Sequence, residues 1–133
     1  MKDNNAKTKI IVMARKDLAA LEGMIDDRVH FSDEVFGFHA EQAVEKALKA
    51  WIAALGEQYP FTHDLSLLLN HLKRLNVDIS EWLELLELSS FGVQFRYEEI
   101  DLEDEPLNRT AVLSKVKLLL KNVDVAIIKQ DAK

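Results

Sequence analysis

Four polar residues, Gln42, Glu45, Lys46 and Lys49, recur at intervals of three and four and so lie along one side of a helix. The plain reading is a solvated helix edge on which Glu45 pairs with Lys49 across one turn, although the stripe does not look like ordinary surface. A second set, Thr62-His63-Asp64-Leu65, opens a helix just after the break at Tyr59-Pro60. Thr62 and Asp64 are both suited to capping free backbone N–H groups, and His63 either accompanies the cap or points an imidazole into a cleft. A third set is Arg96-Tyr97. A guanidinium there complements a helix C-terminus, and Tyr97 beside it reads as a half-buried packing residue.

Other chemistries find no residues to carry them. The chain has no cysteine, which removes disulfides, zinc ribbons and thiol catalysis. His30, His39, His63 and His71 show no metal-ligand spacing and no His-Glu-x-x-His pattern, so no metal is expected. The four glycines stand singly, which leaves no phosphate-cradling loop, and there is no serine elbow. No cofactor is expected. A net charge of −6 disfavours non-specific nucleic-acid binding. No apolar run approaches the roughly 20 residues that span a bilayer, and the N-terminal residues lack a signal-peptide block. The expectation is a cytoplasmic protein without membrane contact.

Helical periodicity positions these residues. At 133 residues, 48% of them hydrophobic and 30% charged, the chain suits one domain over 1–133, with frayed ends at about 1–5 and 129–133. A first helix is expected over about Ala6–Met24, with Ile10, Ala14, Leu18 and Leu21 on its stripe. Ser32 is a natural cap for a second helix over Asp33–Leu55, closed by Gly56. Its apolar residues, from Phe36 to Ile52, are broad enough for a central helix. Phe36, Phe38 and Trp51 exceed what one stripe requires, which points to a homodimer.

Thr62 is read as the cap of a third helix, with Leu65, Leu68, Leu69, Leu72 and Leu75 on its apolar side. Ser80 is read as the cap of a fourth, reaching Tyr97 and carrying Trp82, Leu83, Leu86 and Leu88. The acidic, proline-ended run from Glu98 to Pro106 reads as a loop. The last helix carries Leu113, Val116, Leu120, Val123 and Ile127. The expected fold is all-α: an antiparallel, up-and-down bundle of about five helices.

Taken in order, the helix Phe38–Ala50 containing Gln42-x-x-Glu45-Lys46, the His63-Asp64-Leu65 helix start and the Arg96-Tyr97 pair resemble the HEPN family (higher eukaryotes and prokaryotes nucleotide-binding). The resemblance spans about Ala6 to Ile127. It implies a helical bundle that commonly forms homodimers. It also implies one polar cleft formed by Gln42, Glu45, Lys46, His63, Arg96 and Tyr97, with Lys46 and Arg96 facing phosphate. Many small prokaryotic members are encoded beside a minimal nucleotidyltransferase in a two-component, toxin–antitoxin-like module, so a nucleotide ligand and such a protein partner are implied. Ribonuclease members carry an arginine followed after four to six residues by a histidine. Arg15, Arg28, Arg74, Arg96 and Arg109 all lack that histidine. This departure weighs against a metal-independent ribonuclease and for a binding module, with a non-catalytic helical adaptor as the plainer alternative.

Overall fold

The computed structural model describes residues 4–91 and 106–132, with residues 4–6 given by backbone alone. Arg96, Tyr97, Gly92 and the acidic run over 98–105 lie outside the described residues. Among the described residues, four α-helices and one 3-10 helix form the bundle: α1 (Asn4–Met24), α2 (Asp33–Ala54), α3 (Leu65–Arg74), η1 (Ser80–Leu88) and α4 (Arg109–Asp131). The all-α expectation holds. Among the described residues no helix is long and apolar enough to cross a membrane.

Helix α2 is the centre, packing against each of the other four elements and most extensively against α1. Its start is set locally, since the Ser32 hydroxyl accepts from the Val35 N–H at 3.2 Å and Asp33 and Glu34 occupy the first turn. Its end is equally local. Gly56 adopts φ +86°, which lets the Glu57 N–H reach the Ile52 carbonyl and the Gly56 N–H reach that of Ala53. Asn76, at φ +70°, ends α3 by the same pair of bonds, from Val77 to Leu72 and from Asn76 to Lys73.

Two ends of the bundle are fastened by ions. At one, the Lys7 ammonium is almost wholly buried and meets Asp131 at 2.8 Å, with Gln130 as a further acceptor. Lys7 lies near the N-terminus of α1 and Asp131 at the C-terminus of α4. Each charge opposes its own helix dipole, and pairing relieves both. The last helix therefore runs through Asp131, past Lys129 where a polar tail is expected.

At the other end Arg109, the first residue of α4, has a side chain only 2% exposed. It donates from Nε to Asp33 at 2.8 Å, from Nη1 to the Met24 carbonyl at 2.8 Å and from Nη2 to the Phe31 carbonyl. Its guanidinium lies 5.1 Å from the centre of the Phe36 ring. Burial pushes the Asp33 carboxyl up. The Leu107 N–H, the Arg109 hydrogen bond and the charges of Arg28 and Arg109 outweigh it, holding the group below its ordinary 3.8. With Arg109 beside Asp33 and Gln130 donating to the Ala53 carbonyl, α4 runs in the same sense as α2 and opposite to α1.

Several local expectations are corrected. The third helix starts at Leu65, not Thr62: Asp64 is its cap, accepting from the Ser66 N–H at 2.9 Å, while Thr62 accepts from the Asp64 N–H. Ser80 caps nothing, because its N–H and hydroxyl are both turned back onto Asp78. The segment it opens is a 3-10 helix whose inward residues recur every three. Ile79, Trp82, Leu85, Leu88 and Phe91 are all buried, whereas Leu83 is 47% exposed. A repeat of three matches the 3-10 period, so packing along that line selects the tighter helix.

The apolar surplus on α2 is also used inside the chain. Phe36 is fully buried under Arg109, and Trp51 packs edge-on against Trp82 at 6.2 Å. Two of the three aromatic residues behind the homodimer expectation, Phe36 and Trp51, are thus packed within the chain, while Phe38 is half-buried.

Candidate functional site

The polar residues of α2 divide into two edges around Gln42. On the α3 edge, Glu45 is almost fully buried, 4% exposed, and forms the hub. Lys49 donates to its Oε2 at 2.9 Å, the favourable pairing across one helical turn. His63 brings Nδ1 to 2.9 Å from the same oxygen and 3.1 Å from the other. The reach is possible because the chain after Gly56 turns back along α2 before α3 begins, so Tyr59 also comes alongside, with the Lys49 ammonium 5.7 Å from its ring centre.

A carboxylate taken out of water needs such partners, and this one has an ammonium and an imidazole. With Nδ1 donating to Glu45, the other ring nitrogen of His63 is turned away from the carboxylate, and the side chain is 68% exposed. The arrangement presents an oriented imidazole at the surface.

On the α1 edge, Lys46 does not stand as a free cation. Its ammonium lies 2.6 Å from Asp17 of α1, and the other oxygen of Asp17 meets His39 Nδ1 at 3.2 Å. Asp17 is itself mostly buried, with a side chain 13% exposed. The Phe38 ring packs edge-on against the His39 imidazole at 5.7 Å. Gln42, half-buried between the two edges, donates to Glu41 at 2.8 Å.

The structure thus brings together Glu45 and His63 directly, with Gln42 and Lys46 on the same strip of α2. Arg96 and Tyr97 cannot be placed on it, because they lie outside the described residues. Sequence reasoning missed Asp17 and His39. The available signal was faint: Asp17 is an acid set among the cations Arg15 and Lys16, one residue before the packed Leu18.

No cluster of three or more metal-ligating side chains occurs among the described residues. Two grooves elsewhere hold none of the strip residues. One of about 440 Å³ lies between η1 and α4, lined by Leu85, Leu88, Phe91, Leu107 and Lys115. Another of about 520 Å³ lies between the end of α2 and α4, over Trp51, Leu55 and Val125. The strip is defined by its ion pairs.

Comparison with curated proteins and with solved structures finds no match. A family model described as the HEPN domain matches residues 9–124, from the second turn of α1 to the last third of α4 and therefore including the whole strip. The chain belongs to the HEPN domain family, whose members are nucleotide-binding or ribonuclease-type helical modules.

Proposed function

We propose that this protein is a HEPN binding module that holds a nucleotide on the polar strip of α2. On this reading it partners a minimal nucleotidyltransferase in a two-component, toxin–antitoxin-like system. The carrying observation is Glu45: a nearly buried carboxylate that holds an ammonium and an exposed imidazole. A buried ion cluster of this kind contributes little net stability, which supports a role for it at a ligand site. The missing Arg-x4-6-His pair favours binding over cleavage. The homodimer belongs to the same reading, and the exposed Leu118, Val125 and Ile128 of α4 support a contact there.

The test is a tagged pull-down from the native cell, followed by calorimetric titration of the purified chain with nucleotides. A stoichiometric nucleotidyltransferase-like protein, together with nucleotide binding lost in His63→Ala, is the expected result. Because His63 is exposed and Glu45 keeps Lys49, that variant leaves the fold intact. Recovery of the chain alone, or binding unchanged in His63→Ala, overturns the assignment. A metal-independent ribonuclease is the second reading, favoured by the same oriented imidazole. It requires RNA cleavage in the presence of chelator that disappears with His63→Ala.

A further inference from the structure

Three of the four histidines set Nδ1 against a carboxylate, and they differ in what water reaches. His63 meets Glu45 at 2.9 and 3.1 Å, His30 meets Asp27 at 3.0 and 3.1 Å, and His39 meets Asp17 at 3.2 Å. A carboxylate acts on an imidazole more strongly where water is kept from it, because the local dielectric is lower. The Glu45 side chain is 5% exposed and that of Asp27 37%. The ring must also be open to a reagent. His30 and His63 are open, whereas His39 is half-buried with the Phe38 ring edge-on against it. Among the described residues, His63 alone joins a sunken carboxylate to a well-exposed ring.

With Nδ1 donating to Glu45, a neutral His63 ring carries its proton on that nitrogen and a lone pair on Nε2, directed away from the carboxylate. A nucleophilic imidazole needs this tautomer, a fixed ring and an anion behind it to balance the charge created on attack. Lys49 holds the same carboxylate at 2.9 Å and keeps it in place. We propose that His63 is a phosphoryl acceptor, modified at Nε2 by a small acyl phosphate, with Glu45 as its positioning residue. Nε2 attacks phosphorus and the P–N bond forms. The bond from phosphorus to the acyl oxygen breaks, and its electron pair leaves with the carboxylate product. No proton moves: the Nδ1 proton stays on the ring, and the positive charge the ring gains lies against Glu45. Attack at the acyl carbon instead gives an acyl imidazole that water opens quickly, so the phosphoryl adduct is the one that persists. The modification needs no bound nucleotide and so stands apart from the reading above.

In the experiment the full chain is incubated with acetyl phosphate at about pH 8, where an ordinary imidazole is neutral. The products are mapped by mass spectrometry under alkaline conditions, which preserve the P–N bond. The expected result is phosphorylation of His63 about tenfold faster than that of His30, with half-buried His71 as the baseline. Glu45→Gln keeps an acceptor for the Nδ1 proton but removes the charge, and slows the His63 reaction about tenfold. Nitrogen-15 signals of the His63 ring place the proton on Nδ1 in the parent and show mixed tautomers in Glu45→Gln, a change that a merely structural Glu45 does not produce. His63→Ala removes the label, and circular dichroism checks that each variant is folded. Equal rates at His63 and His30, an unchanged rate in Glu45→Gln, or acetylation of His63 without phosphorylation overturns the assignment. If Glu45→Gln does not fold, the comparison of His63 with His30 inside the parent chain still decides.

Discussion

Replacing Arg109 with alanine tests how the bundle is closed. The side chain is 2% exposed, and three of its donors are engaged, by Asp33 and by the carbonyls of Met24 and Phe31. Truncation leaves the Phe31 carbonyl and part of a carboxylate without partners, while the Met24 carbonyl keeps the Asp27 N–H at 3.0 Å. Removing one member of a buried ion pair typically costs about 3–5 kcal/mol. Asp33 keeps Arg28 at 2.7 Å and the Leu107 N–H at 2.8 Å, which places the expected loss near the lower end, about 3 kcal/mol. For a chain of this length that is a fall in Tm of roughly 10 °C.

Arg109→Lys keeps the charge but replaces a three-way fork with a point donor, so it recovers about half of the loss. Arg15→Ala provides the contrast. Arg15 pairs with Asp124 on the surface, where both side chains are well exposed, and its removal costs less than about 0.5 kcal/mol. Urea unfolding followed by circular dichroism reads all three. A loss below about 1 kcal/mol in Arg109→Ala, or an Arg109→Lys indistinguishable from the parent, refutes the view that this guanidinium closes the bundle.

Two further substitutions probe neighbouring contacts. Because the folded Asp33 carboxyl is more acidic than its unfolded form, its contribution is complete above the unfolded value of about 3.9 and is lost as pH falls through the lower folded value. Asp33→Asn is therefore less stable at neutral pH but shows a shallower decline in urea midpoint on acidification; a decline as steep as the parent's sinks this attribution. Gly37 faces the Phe91 ring so closely that a Cβ there would stand 2.5 Å from its Cγ and Cδ1. Gly37→Ala should cost about 1–3 kcal/mol, partly recovered by Phe91→Leu, and a double-mutant cycle showing no coupling contradicts the contact.

Local features were legible in the sequence because they are encoded within a few residues. The Ser32 cap, the Gly56 stop and the Glu45–Lys49 pair each depend on neighbours one turn away, and all three stand where the spacing puts them. The fourth helix misled because Trp82, Leu83, Leu86 and Leu88 fit an α-helical stripe, while the period-three line from Ile79 to Phe91 is an equally valid reading that only packing against α2 decides. Arg109 and Asp17 were missed for a different reason. Their partners are 76 and 22 or more residues away, and such pairs leave no local pattern. A faint sign existed for Arg109, since a cation at the first residue of a helix opposes the dipole and must be held there by something specific.

The placement of charge narrows what the strip can bind. A surface built for a nucleic-acid backbone gathers unpaired cations, and its affinity comes from displaced counterions. Lys46 and Lys49 are instead each held within 2.9 Å of a carboxylate, on a chain of net charge −6. The described part of the strip offers little long-range attraction to a polyanion. What it offers is position: carboxylates sunk beside α1 and α3 fix lysines and imidazoles around one glutamine, so a ligand of the proposed kind would be selected by where its oxygens fall. Such an arrangement suits a small phosphate compound whose few oxygens can all be met at once, and it suits a long, uniformly charged strand poorly. The same positions depend on how α1 and α3 lie against α2. The clamp at Arg109, some distance along the bundle, therefore bears on the site only by holding α1 in register.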